Sequence, residues 1–134
     1  MTEVLIASDA SWIIDDVTAV LGGPNTNIRV VHRGADVRGA VAATTPDLVV
    51  LDLQIGNMGG MATCIDLRLE AGAGRLPDVK VMMLLDRAAD VFLARQSGAE
   101  GWLIKPLDAF RLRKAITAVL AGETYQETTA AGVS

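Results

Sequence analysis

The chain has 134 residues, of which 51% are apolar, and its formal net charge at pH 7 is -4. This length suits one domain with a hydrophobic core, and the acidic balance argues against direct binding of nucleic acid through phosphate neutralisation. The single cysteine, Cys64, excludes an internal disulfide and disfavours a zinc cluster or a redox pair. Because the apolar run at residues 4–7 is too short for a signal peptide and no segment has the length of a membrane span, we expect a cytoplasmic protein without a membrane contact.

Strand and helix signals alternate along the chain. Apolar runs predict five buried parallel strands, at residues 4–7, 28–31, 47–52, 79–85 and 102–104. A helix is predicted after each strand, and these helices end at or near Gly22, Thr44, Gly72, Ser97 and Leu120. This alternation predicts an α/β fold, a (βα)5 doubly wound parallel five-stranded sheet with helices on both faces.

Several local features of this pattern carry more specific predictions. In the third helix, Met61, Ile65 and Leu69 are predicted to form the inner face. Asp86 follows the fourth strand, where it either adds an acid to that edge of the sheet or caps the next helix, and the cap is the favoured interpretation. Residues 1–122 are assigned to the domain, and residues 123–134, which are small and polar without periodicity, are predicted to form a disordered C-terminal tail.

Charged side chains lie at the ends of four of the predicted strands. The carboxyl ends of parallel strands meet at one edge of a sheet, where ligands bind, so Asp9, Asp52, Asp86 and Lys105 are predicted to converge there. Asp9 and Asp52 would repel each other unless a hard cation such as Mg2+ bound both. An aspartate is a known nucleophile for a phosphoryl group, and a lysine can neutralise its charge. Rim residues are often polar without any function, so this grouping alone does not decide the activity.

Four motifs in the same order resemble the receiver domain of bacterial two-component response regulators. They lie at residues 4–9, 47–52, 59–60 and 98–106, within a resemblance that covers residues 3–121. The resemblance implies the flavodoxin-like strand order 2-1-3-4-5. It also implies that Asp52 is the phosphoacceptor, that Asp9, Asp52 and the main-chain carbonyl of Gln54 bind Mg2+, and that Lys105 contacts the phosphoryl group. By the same resemblance, the Lys105–Pro106 bond is expected to be cis.

The sequence departs from the family pattern at three places. Ser8 stands where the family usually has a second acid, which predicts weaker binding of Mg2+. Residues 75–96 contain no Ser or Thr, so the hydroxyl that follows the phosphoryl group in the family is missing. Gly56 stands where the family usually has proline, which predicts a looser loop.

The leading functional hypothesis is a stand-alone, single-domain response regulator. It would accept a phosphoryl group from a sensor histidine kinase on Asp52, acting only on itself rather than as a conventional enzyme, and signal to a downstream target or a phosphotransfer protein. The surface proposed for switching and for partners comprises Arg95, Trp102, Arg111, Arg113 and Lys114, with Trp102 at the position of the family's aromatic switch residue. A homodimer is a separate expectation. The alternative is a degenerate receiver that acts as a phosphorylation-independent interaction or dimerisation module. A flavodoxin-like cofactor binder is disfavoured, because residues 8–12 contain no glycine for a phosphate-binding loop.

Overall fold

The computed structural model of the chain describes residues 1–129 and 132–133. Its strands are β1 (Thr2–Ala7), β2 (Thr26–Val31), β3 (Leu48–Asp52), β4 (Val81–Leu85), β5 (Gly101–Ile104), β6 (Tyr125–Thr129) and β7 (Gly132–Val133). Its α-helices are α1 (Ser11–Leu21), α2 (Val37–Ala43), α3 (Gly60–Gly72), α4 (Val91–Ser97) and α5 (Ala109–Leu120), and short 3-10 turns precede α2 and α4. None of the helices in this described part of the chain combines the length and the apolar composition needed to cross a lipid bilayer.

The sheet confirms the predicted α/β topology. Strands β1 to β6 are parallel in the order β2-β1-β3-β4-β5-β6, and the two-residue β7 pairs antiparallel with β6. Alternate residues of the strands face opposite sides: Leu5, Val49 and Leu51 belong to one core, and Ile6 and Val50 belong to the other. Every residue of β3 is buried, as expected for a central strand with helices on both faces.

The predicted inner face of α3 is wrong at two positions. Ile65 and Leu69 are 45% and 66% exposed, whereas Cys64 and Leu67 are buried, and Met61 packs at the edge of the same core. Residues four apart drift around a helix by about 40° at each step. Steps of three residues, as from Met61 to Cys64 and Leu67, also drift, but in the opposite sense. The sequence offered both apolar rows, and packing against the sheet selected the second.

The prediction of a disordered tail over residues 123–134 is wrong for residues 125–129 and 132–133, which form strands. Tyr125–Thr129 forms β6 beside β5, with Gly101 opposite Tyr125 and Trp102 opposite Gln126. Gly101 allows this approach, because a Cβ on it would lie only 3.0 Å from the carbonyl oxygen of Tyr125. Residues 130, 131 and 134 of the predicted tail lie outside the described residues.

Glu127 anchors β6 from within the protein. Its side chain is fully buried, and its carboxylate accepts hydrogen bonds from the main-chain N–H of Ile104 (2.9 Å) and from Arg111 through Nε (2.8 Å) and Nη2. The indole N–H of Trp102 donates to the main-chain oxygen of Glu127 at 2.8 Å. A buried carboxylate is tolerated only when such partners offset its lost hydration. This pairing explains why a short polar segment forms a strand.

We therefore expect Glu127→Ala to lower the free energy of unfolding by about 3 kcal/mol, because it leaves Arg111 and the Ile104 N–H without their buried partner. Chemical denaturation measures this change. The matched control is Glu123→Ala, because Glu123 is exposed just before β6. Equal stabilities of the two variants would contradict the anchoring role of Glu127.

Candidate functional site

The register of the strands determines which side chains meet at the carboxyl edge of the sheet. Ala7 lies opposite Leu51, so the residues that follow them, Ser8 and Asp52, are neighbours. Leu85 lies opposite Ile104, so Asp86 and Lys105 are neighbours in the same way. Because β3 lies between β1 and β4, Asp52 occupies the centre of this edge.

Asp52 is only 1% exposed, and hydrogen bonds engage both of its carboxylate oxygens. Oδ1 accepts from Lys105 Nζ at 2.7 Å and from the main-chain N–H of Gln54 at 3.1 Å. Oδ2 accepts from the hydroxyl of Ser8 at 2.8 Å. The ammonium of Lys105 therefore balances the buried charge directly, and the two neutral donors complete its solvation.

Ser8 is a fully buried hydrogen-bond donor to Asp52. Its hydroxyl donates to Asp52 and accepts from the main-chain N–H of Ala10 at 3.1 Å. The sequence identified Ser8 only as the position of a missing acid. In the structure, the Ser8 hydroxyl makes an attractive contact with Asp52, whereas the acid expected at this position would repel it.

Asp86 does not cap the helix that follows it, so that interpretation is wrong. The N-cap of the 3-10 turn before α4 is Arg87, and Asp90, the third residue of that turn, reaches back so that its Oδ2 accepts from the main-chain N–H groups of Asp86 (3.3 Å) and Arg87 (3.1 Å). The carboxylate of Asp86 instead accepts from Lys105 Nζ at 2.9 Å and from the side-chain amide of Gln54. Asp86 is thus a member of the site, which was the less favoured of the two interpretations that the sequence left open.

The charges at this edge stabilise one another. Burial is the largest single influence on Lys105 and lowers its pKa, but the hydrogen bonds and charges of Asp52 and Asp86 outweigh it, so its pKa lies above the ordinary value. Burial is also the largest influence on Asp86 and raises its pKa, but the hydrogen bonds from Gln54 and Lys105 together lower it below the ordinary value. Both shifts favour the charged forms at neutral pH.

The residues predicted to bind Mg2+ offer only oxygen donors. Asp9 is exposed beside the site, and its Oδ2 accepts from the main-chain N–H of Gly56 at 3.2 Å. Two carboxylates, from Asp9 and Asp52, together with the carbonyl of Gln54, fit the hard-donor preference of Mg2+, an ion that retains several waters and commonly takes only one or two carboxylates. Within the described residues, no group of three or more His, Cys, Asp or Glu side chains could hold a metal ion. The predicted set has only two such side chains and one main-chain carbonyl. It is therefore sparse, but its oxygen donors are of the type that Mg2+ prefers.

The loop after Asp52 is tied to the start of the 3-10 turn before α2. The N–H of Gly34 donates to the carbonyl of Gly56 at 2.9 Å, and the N–H of Ala35 donates to the carbonyl of Asn57 at 2.7 Å. A Cβ on Gly34 would lie 1.7 Å from the carbonyl oxygen of Met58, so glycine is required there. These contacts restrain the loop that Gly56 alone would loosen.

Only part of the surface predicted for partners is exposed, because β6 covers the rest. Trp102 is fully buried and Arg111 is largely buried, so neither presents an open surface. Arg95 is exposed and lies over the Trp102 ring, 5.6 Å from its centroid. Arg113 and Lys114 are also exposed on α5. The accessible part of the predicted surface is therefore its exposed basic side chains.

The comparisons with known proteins agree with this geometry. The sequence model of the family described as "Response regulator receiver domain" matches residues 4–117. The DNA-binding response regulator MtrA of Mycobacterium tuberculosis is 32% identical over 105 residues, which are 77% of this chain and 43% of MtrA. Protein PilH of Pseudomonas aeruginosa is 28% identical over 122 residues, which are 91% of this chain and 100% of PilH. The chain thus spans less than half the length of MtrA.

Solved structures show the same fold. The chemotaxis response regulator CheY4 of Vibrio cholerae superposes with a TM-score of 0.77 at 21% identity, covering 89% of this chain and 98% of that one. A LuxR-family response regulator from Aurantimonas superposes with a TM-score of 0.79 at 22% identity, covering 96% of this chain and 91% of that one.

We expect Ser8→Ala to lower the free energy of unfolding by about 2 kcal/mol, because it removes a hydrogen bond to a buried charge. Thermal or chemical unfolding measures the difference. Ser11→Ala serves as the control, since Ser11 is exposed at the start of α1. A Ser8→Ala variant as stable as this control would show that the bond to Asp52 contributes nothing.

Proposed function

The chain belongs to the response regulator receiver family, and from that premise we propose that it accepts a phosphoryl group from a sensor histidine kinase on Asp52. The observation that carries this proposal is the Asp52–Lys105 contact of 2.7 Å at the carboxyl edge of β3, with Asp52 buried and central. The contact places a potential nucleophile beside a cation that can neutralise phosphoryl charge.

In the proposed reaction, an oxygen of Asp52 attacks the phosphorus atom of the donor. A new P–O bond forms as the bond from phosphorus to the leaving group breaks, and the leaving group keeps the electron pair. Because both oxygens of Asp52 are hydrogen-bonded, the attacking oxygen must first give up a partner. Ser8 is a neutral partner and is therefore easier to displace from a carboxylate than Lys105.

Asp9, Asp52 and the carbonyl of Gln54 would hold Mg2+ in this proposal. A bound Mg2+ ion would supply charge neutralisation and orientation for the phosphoryl oxygens. Lys105 complements this from the other side of Asp52, next to Asp86. The product would be an aspartyl phosphate that later hydrolyses, so the chain would act on itself alone.

For output, we propose that the exposed basic side chains Arg95, Arg113 and Lys114 dock a downstream protein or a phosphotransfer protein. Their charge favours an acidic partner surface. The same basic side chains would have to find acidic partners on a second copy if the chain formed a homodimer. A direct nucleic-acid contact is not part of the proposal, since MtrA's printed DNA-binding role belongs to a protein of which this chain spans less than half.

A phosphorylation-independent interaction module is the second candidate function. It is favoured by the engagement of both Asp52 oxygens and by the sharing of Lys105 with Asp86. The lack of Ser and Thr in residues 75–96 also removes the hydroxyl expected to couple phosphorylation to a change of shape. In this alternative, partner binding would not respond to the state of Asp52.

Acetyl phosphate distinguishes the two functions. We expect a gain of one phosphoryl mass in the presence of Mg2+, because the protein supplies both the nucleophile, Asp52, and a cation beside it, Lys105. Intact-mass spectrometry measures the gain, with omission of Mg2+ and Asp52→Asn as controls. A chain that stays unmodified, under conditions that label another receiver, would favour the interaction module.

Ser8→Asp tests the metal site. A second carboxylate next to Asp52 should tighten Mg2+ binding roughly tenfold and lower the thermal stability of the metal-free protein, because two carboxylates then face each other. Calorimetric titration with Mg2+ measures the affinity. Ser11→Asp adds the same charge on the neighbouring exposed surface and controls for nonspecific attraction. Unchanged affinity in Ser8→Asp would place the metal elsewhere.

A further inference from the structure

Lys105 is divided between two carboxylates in the resting protein. Its Nζ lies 2.7 Å from Asp52 Oδ1 and 2.9 Å from Asp86 Oδ1, and its side chain is only 13% exposed. The other oxygen of Asp86 is held by the side-chain amide of Gln54. The Lys105 ammonium, which would contact the oxygens of an incoming phosphoryl group, is therefore already paired with two of the protein's own carboxylates.

The sheet itself, rather than a mobile loop, holds Asp86 in this place. Leu85 pairs with Ile104, and the N–H of Lys105 donates to the carbonyl of Leu85 at 2.8 Å. Asp86 is the next residue after this paired position, and its own N–H is held by Asp90. The main-chain bond between Lys105 and Leu85, together with the bond from the Asp86 N–H to the Asp90 carboxylate, thus presents the Asp86 carboxylate to Lys105.

This arrangement leaves an excess of negative charge around Lys105. Asp52 and Asp86 contribute two negative charges and Lys105 contributes one positive charge, so the three groups carry a net negative charge before a donor arrives. A phosphoryl donor is itself an anion. Removing the charge of Asp86 would make the three groups neutral and leave Lys105 free to contact the phosphoryl oxygens.

We propose that Asp86 is a positioning residue that competes with the incoming phosphoryl group for Lys105 and so slows phosphorylation of Asp52. This inference rests on the proposed function of Asp52 as phosphoacceptor. Asp86 touches neither the donor nor the attacking oxygen; it acts through Lys105. When the group is transferred, the new P–O bond forms at Asp52, the donor's bond to phosphorus breaks with its electron pair, and Lys105 exchanges Asp86 for a phosphoryl oxygen.

The test compares initial rates of labelling by acetyl phosphate, a donor that needs no protein docking, at saturating Mg2+. Asp86→Asn removes the charge and keeps the shape, and we expect it to be labelled roughly five- to tenfold faster, the effect of one nearby charge at a partly exposed site. Asp86→Glu restores the charge and should return the rate towards that of the parent chain. Asp86→Ala, with thermal unfolding of every variant, separates loss of charge from loss of fold.

Asp15→Asn is the matched control. It removes an equal charge from an exposed position on α1, a helix that carries neither Lys105 nor the groups that hold Asp86 in place. Its labelling rate should stay close to that of the parent chain. A charge effect also predicts that the advantage of Asp86→Asn shrinks as salt is raised, which a purely structural effect would not do.

The outcomes separate this inference from the proposed function. Faster labelling of Asp86→Asn supports it, including the case in which only that variant is labelled. Equal or slower labelling of a folded Asp86→Asn, with the parent chain labelled at Asp52, overturns the inference and leaves the proposed function standing. If no folded form is labelled, both are overturned.

Discussion

The buried carboxylate of Asp52 is the constraint on which the rest of the site depends. Removing a carboxylate from water costs several kcal/mol unless a charge and hydrogen bonds replace its hydration. Lys105 supplies the charge, and Ser8 and the N–H of Gln54 supply the remaining bonds. Since each donor follows a different strand or lies in the loop after β3, the carboxylate is accommodated only when the parallel sheet is formed. Any chemistry at Asp52 must therefore rearrange bonds that also stabilise the fold.

A second buried carboxylate shapes the opposite side of β5. Glu127 binds Arg111, and the main chain of the same residue binds Trp102. Strand β6 thereby covers two of the five side chains that were predicted to form the partner surface. The side chains of α4 and α5 that stay exposed include both basic groups and the apolar Phe92, Leu93 and Phe110. The two carboxylates thus have different roles. Asp52 lies at the candidate phosphoacceptor site, and Glu127 holds β6 against β5.

Sequence reasoning predicted the parts of this protein that depend on local patterns. Apolar runs gave the strands, and their ends placed Asp52 and Lys105 at one edge; the structure also contains the expected cis Lys105–Pro106 bond. The sequence placed Asp86 near this edge but favoured a capping role, because an acid before a helix is usually a cap, and only the pairing of β4 with β5 directs its side chain to Lys105. The burial of Glu127 was also not predicted, because its partner Arg111 lies 16 residues away and no local pattern indicates that the two side chains pair.

The most direct test of the central claim is to identify the modified residue. The protein would be treated with acetyl phosphate and Mg2+, reduced with borohydride, which converts an aspartyl phosphate to homoserine, and sequenced by tandem mass spectrometry. The account predicts homoserine at position 52 alone. Homoserine at Asp9 or Asp86 instead, or none in a protein shown to be folded, would contradict it.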